Sequence, residues 1–254
     1  MVKKRILAVV TVKDNQVVQS IEYNTFLPVG KPEVVVKNLD RWQADEILIN
    51  VIDRTKLNLG PDFKLLEKIS KLDIQTPIIY GGGISSLKEA IQVTKFGADR
   101  ILLESAIENN FPEFQKISST IGSQSIIISI PYALNSKRQI SFYDYKIKKE
   151  KKLSEFFIKS FKQKLFSEIL LIDYKNQGTN RGFNYRILNE FNFNFPLILY
   201  GGVNNKKNIF QKIKKDKRVS ALAFGNSLNY KEHSIQNIKS ISKNIYFRKA
   251  YYEY

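Results

Sequence analysis

Two short phrases in this chain carry residues suited to holding an anion. Pro77-Ile78-Ile79-Tyr80-Gly81-Gly82-Gly83-Ile84-Ser85-Ser86 and Pro196-Leu197-Ile198-Leu199-Tyr200-Gly201-Gly202-Val203-Asn204-Asn205 each pass from an apolar run into glycines and then into a polar segment. Glycine lets the backbone approach a ligand closely, and the free N–H groups at a helix start favour negative charge. Each phrase therefore predicts a strand, a tight turn and a helix N-terminus able to cradle a phosphate, although such a turn also serves simply to reverse the chain. Other chemistries are excluded by composition. The chain has no cysteine and a single histidine, which removes disulfides, thiolate metal sites, a cysteine nucleophile and most histidine-based metal centres. Neither a metal nor a cofactor is expected, and His233 reads as a surface residue near the last helix.

The phrases belong to a longer repeat. Tyr80 and Tyr200 lie 120 residues apart, while Glu46-Ile47-Leu48 recurs as Glu168-Ile169-Leu170 and Gly60-Pro61-Asp62-Phe63 as Gly182-Phe183-Asn184-Tyr185, both at an offset of 122. Repeats at nearly one offset describe two similar halves. Apolar runs suited to buried parallel strands fall at about 5–10, 46–51, 77–80, 100–103, 125–130, 168–172, 196–200 and 219–224, separated by segments of helical period such as Leu87-Lys88-Glu89-Ala90-Ile91-Gln92-Val93. Eight strands alternating with helices and a half-chain repeat predict an α/β fold, a (β/α)8 TIM barrel with half-barrel duplication. With 254 residues and no Pro/Gly/Ser-rich linker, the chain reads as one domain over 1–254, its halves about 1–121 and 122–254.

The net charge of +17 invites a nucleic-acid reading, but the lysines are spread over most of the chain, with local clusters at 146–152 and 206–217. Solvated basic helices explain such a distribution as well as a binding footprint does, and nucleic acid remains a remote alternative. The apolar run after Lys3-Lys4-Arg5 is short and lacks a cleavage site, and no stretch is long enough to span a bilayer, so a cytoplasmic protein without membrane contact is expected.

In a (β/α)8 barrel the chemistry sits at the C-terminal ends of the strands. The first predicted strand is followed by a polar turn or loop, 11–19, the third by Gly81-Gly82-Gly83, the fourth by Glu104-Ser105-Ala106 and the fifth by Pro131-Tyr132. The sixth leads to Asp173 and on to Gly178-Thr179, the seventh to Gly201-Gly202 and the eighth to Gly225-Asn226-Ser227. Gly82, Gly83 and Ser105 thus mark one sector, and Gly178, Gly202, Gly225 and Asn226 an opposed one. That arrangement suits a small molecule with a phosphate at each end.

With these motifs in place, the chain resembles the cyclase subunit of imidazole glycerol phosphate synthase over nearly its whole length. The likeness runs through Arg5-Ile6-Leu7, Val12-Lys13-Asp14, Ala44-Asp45-Glu46, Gly81-Gly82-Gly83-Ile84, Gly97-Ala98-Asp99, Gly122-Ser123-Gln124, Glu168-Ile169-Leu170-Leu171, Gly178-Thr179 and Gly201-Gly202. The resemblance implies a barrel that takes ammonia from a glutaminase subunit docked on its N-terminal face and closes a ring at its C-terminal face. It also implies an ionic gate of Arg5, Glu46, Arg100 and Glu168 around the ammonia entrance, with Asp99 and Gln124 on the docking rim. Two positive and two negative groups balance, although charged residues also begin barrel strands merely to solvate the bottom face.

Four positions depart from the family. The two catalytic carboxylates fall on Thr11 and Pro131, a lysine of the strand-1 loop on Gln19, and an acidic residue before Gly-Thr on Gln177. Neither a threonine hydroxyl nor a proline transfers a proton near neutral pH. A barrel that keeps its entrance and loses its acids resembles the cyclase-like paralogues found with surface-polysaccharide genes, as do Gly60-Pro61-Asp62-Phe63 and Asp53. The resemblance implies a partner glutaminase and delivery of ammonia to a separate sugar amidotransferase. The alternative is a true cyclase of histidine biosynthesis whose carboxylates come from unaligned positions such as Asp53 or Asp173. Residues 135–149 read as a small hairpin insertion, and the aromatic tail 246–254 is left without an assignment.

Overall fold

In this computed structural model, residues 3–135, 137–145, 147–203, 213–214, 216–241 and 247–248 are described, without the side chains of Ser105 and Ile241. The basic cluster at 206–217 and the tail at 246–254 therefore lie largely outside the described residues. Among the described residues, no helix is long and apolar enough to cross a membrane.

Eight parallel strands close on themselves: β1 (Arg5–Lys13), β4 (Glu46–Val51), β5 (Ile78–Gly81), β6 (Arg100–Leu103), β7 (Ile126–Leu134), β10 (Glu168–Asp173), β11 (Leu197–Tyr200) and β12 (Val219–Phe224), with β12 pairing β1. Helices α1 (Pro32–Arg41), α2 (Phe63–Ser70), α3 (Leu87–Lys95), α4 (Ser105–Asn109), α5 (Phe111–Ile121), α6 (Glu155–Gln163) and α7 (Ile187–Glu190) lie between them, and α8 (Ser234–Ile241) follows the last strand. The closed (β/α)8 barrel is thus present. Its strands are short runs of Ile, Leu and Val because both faces are covered, one by the helices and one by the barrel interior.

Two antiparallel extensions rise from the rim. β1 runs three residues past its expected end at Val10, turns at Asp14 and Asn15 (φ 50° and 62°), and returns as β2 (Gln16–Ile21), which pairs β3 (Thr25–Gly30). Successive positive φ values are what a two-residue hairpin turn requires, and Asp and Asn tolerate them. The stretch read as a polar turn or loop is therefore a hairpin. β7 likewise runs on to Leu134 and pairs β8 (Ile140–Asp144), which pairs β9 (Lys149–Lys151). This is the expected insertion hairpin, built as a continuation of the barrel strand.

The tyrosine-to-tyrosine alignment of the two phrases needs a correction of one residue. In the ladder Ile49 faces Tyr80, whereas its repeat partner Leu171 faces Leu199 and Ile172 faces Tyr200. Because side chains alternate, a one-residue slip reverses the face. Tyr80 points outward into the core under the helices, with its hydroxyl accepting the Asp62 N–H at 2.6 Å, while Tyr200 points into the barrel. The inward counterpart of Tyr200 is Gly81.

Candidate functional site

The floor of the barrel is a ring of charges at the strand starts. Arg5 pairs with Glu46 at 3.0 Å and with Glu168, and Arg100 pairs with Glu46 at 3.2 Å and Glu168 at 2.6 Å. Each guanidinium thus spans both carboxylates, the alternation that lets a desolvated ion cluster persist. Burial raises the Glu46 carboxyl above its ordinary range despite both arginines. At Glu168 burial is outweighed by Arg5 and Arg100, helped by the Ser220 hydroxyl at 2.6 Å, and the carboxyl is held below that range. Ser220 carries no signal in the sequence; it lies beside Arg5 because β12 pairs β1, a neighbour relation no local motif reveals. Arg100 also binds Ser167, whose hydroxyl reaches the Gln124 carbonyl at 3.1 Å. Gln124 and Asp99 are exposed at the rim of the ring, and an Asp99 oxygen accepts the Ile78 N–H at 2.8 Å.

Above this floor stands an apolar column. Leu7, Val9, Leu48, Ile79, Leu102, Ile127, Leu170, Ile172, Ile198, Ala221 and Ala223 are buried together on the inward face, separate from the outer core. Two residues further along β1, β4, β5, β6, β7 and β12 the inward positions turn polar or small: Thr11, Asn50, Gly81, Glu104, Ser129 and Gly225.

The column opens on one side into a cavity of about 320 Å³ at the ends of β4 to β7, walled by both hairpins. Asn50, Asp53, Gly81 to Gly83, Glu104, Ser129 and Pro131 line it together with Tyr23, Tyr143 and Tyr145. Glu104 accepts the Ser129 hydroxyl at 3.0 Å, and burial pushes its carboxyl up to about 8, with Asp144 and Glu108 adding to the shift and Ser129 and Lys151 opposing it. Glu108 and Asp144 are themselves paired with Lys151. The signal in the sequence for Glu104 is simple alternation, which puts Arg100, Leu102 and Glu104 on one face.

The glycine turn of this sector is tightly packed. A Cβ on Gly82 would stand 2.3 Å from the Val51 carbonyl and one on Gly83 2.2 Å from that of Gly60. The Gly83 N–H donates to Thr55 Oγ1 at 3.0 Å, and the N–H groups of Ser85, Ser86 and Leu87 donate to Glu89 and Glu113 carboxylates at 2.8–3.0 Å. The start of α3 thus already holds the chain's own anions. The hydroxyl of Ser105 lies outside the described side chains.

Across the barrel the other sector is covered. The hairpin lies over it, with Asn226 Nδ2 donating to the Ser20 carbonyl at 2.8 Å and its Oδ1 accepting the Ser20 N–H at 3.3 Å. The Glu22 N–H reaches the Gln177 carbonyl at 2.8 Å, and Gln177 Nε2 reaches the Tyr200 hydroxyl at 3.3 Å. A Cβ on Gly178 would stand 2.1 Å from the Ser20 carbonyl, one on Gly202 2.9 Å from Gly182, and one on Gly225 2.9 Å from the Tyr200 hydroxyl. Thr11 is buried here, beside Tyr200. Gln19 meets Tyr230 at 3.0 Å on the hairpin's outer side.

Of the unaligned carboxylates, Asp173 is buried and accepts from Asn176 and the Asn184 N–H, both at 2.8 Å, whereas Asp53 lines the cavity and accepts the Asp14 N–H at 2.9 Å. His233 is half-buried, its ring 6.4 Å from that of Trp42, rather than on the open surface.

A charged floor, an apolar interior and a polar cavity at the strand ends define a (β/α)8 barrel with its site where such barrels do chemistry. The sequence profile described as histidine biosynthesis protein matches residues 5–234, and the chain belongs to that family. Within it the chain is HisF-like. It is 30% identical to imidazole glycerol phosphate synthase subunit HisF of Staphylococcus saprophyticus over 250 residues, 96% of this chain and 97% of that protein. To subunit hisF2 of Vibrio vulnificus it is 27% identical over 249 residues, 96% of this chain and 90% of the other. With subunit hisF3 of the same organism the match is 28% over 130 residues, 51% of this chain and 50% of that protein; the chain likewise spans about half the length of two relatives from Leptospira.

Proposed function

We propose that this barrel pairs with a glutaminase subunit on its N-terminal face and conducts ammonia through its interior toward an acceptor. The observation that carries this reading is the ring of Arg5, Glu46, Arg100 and Glu168 set directly beneath an unbroken apolar column that ends at a polar cavity. Neutral ammonia crosses such a column far more readily than ammonium, because desolvating a charge is costly. Asp99 and Gln124 form the docking rim. The acceptor chemistry is sugar amidation by a separate amidotransferase in surface-polysaccharide biosynthesis, consistent with Pro131 at the cavity and Thr11 buried across the barrel at the two positions where acids are needed for ring closure. A phosphorylated ligand fits the cavity side of the glycine turns more readily than the side the hairpin covers.

The test is Glu168→Ala. Removing one member of a buried ion cluster costs about 3–5 kcal/mol, so the gate distorts while the exposed rim stays in place. Glutamate release should persist, amination of the acceptor should fall, and free ammonium should appear in the medium. Equal losses of glutamate release and amination would reduce the ring to a solvated barrel floor.

A second reading, a cyclase with relocated acids, is favoured by the full-length likeness to HisF subunits. Turnover of the aminated ribulose nucleotide precursor with ammonium chloride, at an ordinary enzymatic rate, would establish it in place of the first.

A further inference from the structure

Where the apolar column ends, one ionisable side chain meets whatever emerges. On β6, Arg100 belongs to the floor and Leu102 to the column, and Glu104, just past the strand's end, belongs to the cavity. On β7, Ser129 stands in the same way above Ile127 and holds one oxygen of Glu104 at 3.0 Å. Tyr23, from the first hairpin, and Tyr145, from the second, meet beside this point with ring centroids 4.9 Å apart and planes tilted by 56°, and both line the cavity. Both hydroxyls titrate well above the ordinary tyrosine value, because of burial first and also because of the charges around them, Glu104 among them.

Resting on the channel reading, we infer that Glu104, Ser129 and the rings of Tyr23 and Tyr145 form a receiving site for ammonia at the mouth of the barrel interior. Ammonia leaves the column neutral. The Glu104 carboxylic acid gives up its proton, so that an O–H bond breaks, an N–H bond forms, and an ammonium is left paired with the carboxylate. Aromatic faces favour a bound cation, and Ser129 continues to donate to the carboxylate. Return of the proton to Glu104 restores neutral ammonia, the form with a free electron pair for attack on an acceptor. A carboxyl pushed up to about 8 is protonated at neutral pH and can move its proton either way. Burial sets this value first; the Ser129 hydroxyl opposes it, Asp144 on β8 and Glu108 on α4 raise it further, and Lys151 on β9 lowers it.

The experiment uses the whole chain without a glutaminase, so that it stands apart from the channel test. Methylammonium serves as the probe, because an alkylammonium stays protonated up to about pH 10. Binding should tighten about tenfold per pH unit as Glu104 ionises, and level off above about 8. Glu104→Gln keeps the shape, and its binding should be weak and flat with pH. In parallel, carbon NMR of the wild-type Glu104 carboxyl should show titration near 8, moved downward by saturating methylammonium. A carboxyl titrating near the ordinary glutamate value, or equal binding in the Gln variant, would overturn the site. Binding as described in a barrel that never receives ammonia from a glutaminase would leave the site standing and remove the channel.

Discussion

The two mouths of the barrel start from repeated sequence and end in opposite states. At the β5 mouth the inward position is Gly81 and a cavity opens beside it; at the β11 mouth the equivalent position is Tyr200, whose hydroxyl fills the space before Gly225. Both turns are otherwise alike. Gly82 packs on the Val51 carbonyl as Gly201 packs on that of Asp173, and Gly83 packs on Gly60 as Gly202 packs on Gly182. The backbone scaffold of the two halves is therefore shared, while one side chain and one hairpin decide which mouth is open. Duplication keeps the turns because they are packed against backbone, where no substitution fits. The inward side chain above them is under no such constraint.

Removing Tyr200 should break the contrast most strongly. The residue is buried, and Tyr200→Ala should cost about 3–5 kcal/mol, as for other large-to-small changes in a core. Urea unfolding should show a lower midpoint at unchanged slope, and a second cavity should open at the β11 mouth. An unchanged midpoint would mean that the ring is not a packed plug.

Paired glycine variants separate the scaffold from the cover. Gly178 and Gly83 have φ of 73° and 75°, and a Cβ on either would stand 2.1–2.2 Å from a carbonyl oxygen. Each substitution to Ala should cost about 2–3 kcal/mol through strain. Only Gly178→Ala pushes on Ser20, so only that variant should speed hydrogen exchange at the Glu22 N–H, which is bonded to Gln177. Similar exchange in both variants would mean that the hairpin is not held by this contact.

The smallest expected effect is at Asn226, whose side chain makes both of its bonds to the Ser20 backbone. Asn226→Ala should cost about 1–2 kcal/mol, in keeping with loss of one or two neutral hydrogen bonds. Stability within a few tenths of the wild type would show the hairpin to be held by its other contacts alone.

The barrel itself was legible because every strand is an apolar run beginning or ending at a recognisable signal: Glu46, Arg100 and Glu168 at the starts, and glycines at the ends of β5 and β11. The four floor charges each open a strand, and it is the family resemblance that names them as a set. Strand length was harder to read. Thr11 and Pro131 interrupt the apolar pattern at the rim, yet β1 and β7 continue through them because each acquires a hairpin partner beyond the barrel. Alternation carries position 104 to the inward face just past the end of β6, but the chemistry of that position depends on its surroundings.

Composition and periodicity thus determined the strand count, the half-chain repeat and the absence of thiol chemistry, because these depend on what each segment is made of, and the family resemblance named the residues of the floor. Tertiary structure alone decided the rest. The one-residue slip that turns Tyr200 inward and Tyr80 outward is a matter of ladder register, and register is set by packing across strands that are distant in sequence. The same holds for the hairpin over Gly178 and Asn226, and for the burial that keeps Glu104 protonated. A side chain's type is local, whereas its face, its cover and its dielectric belong to the neighbours that folding brings to it.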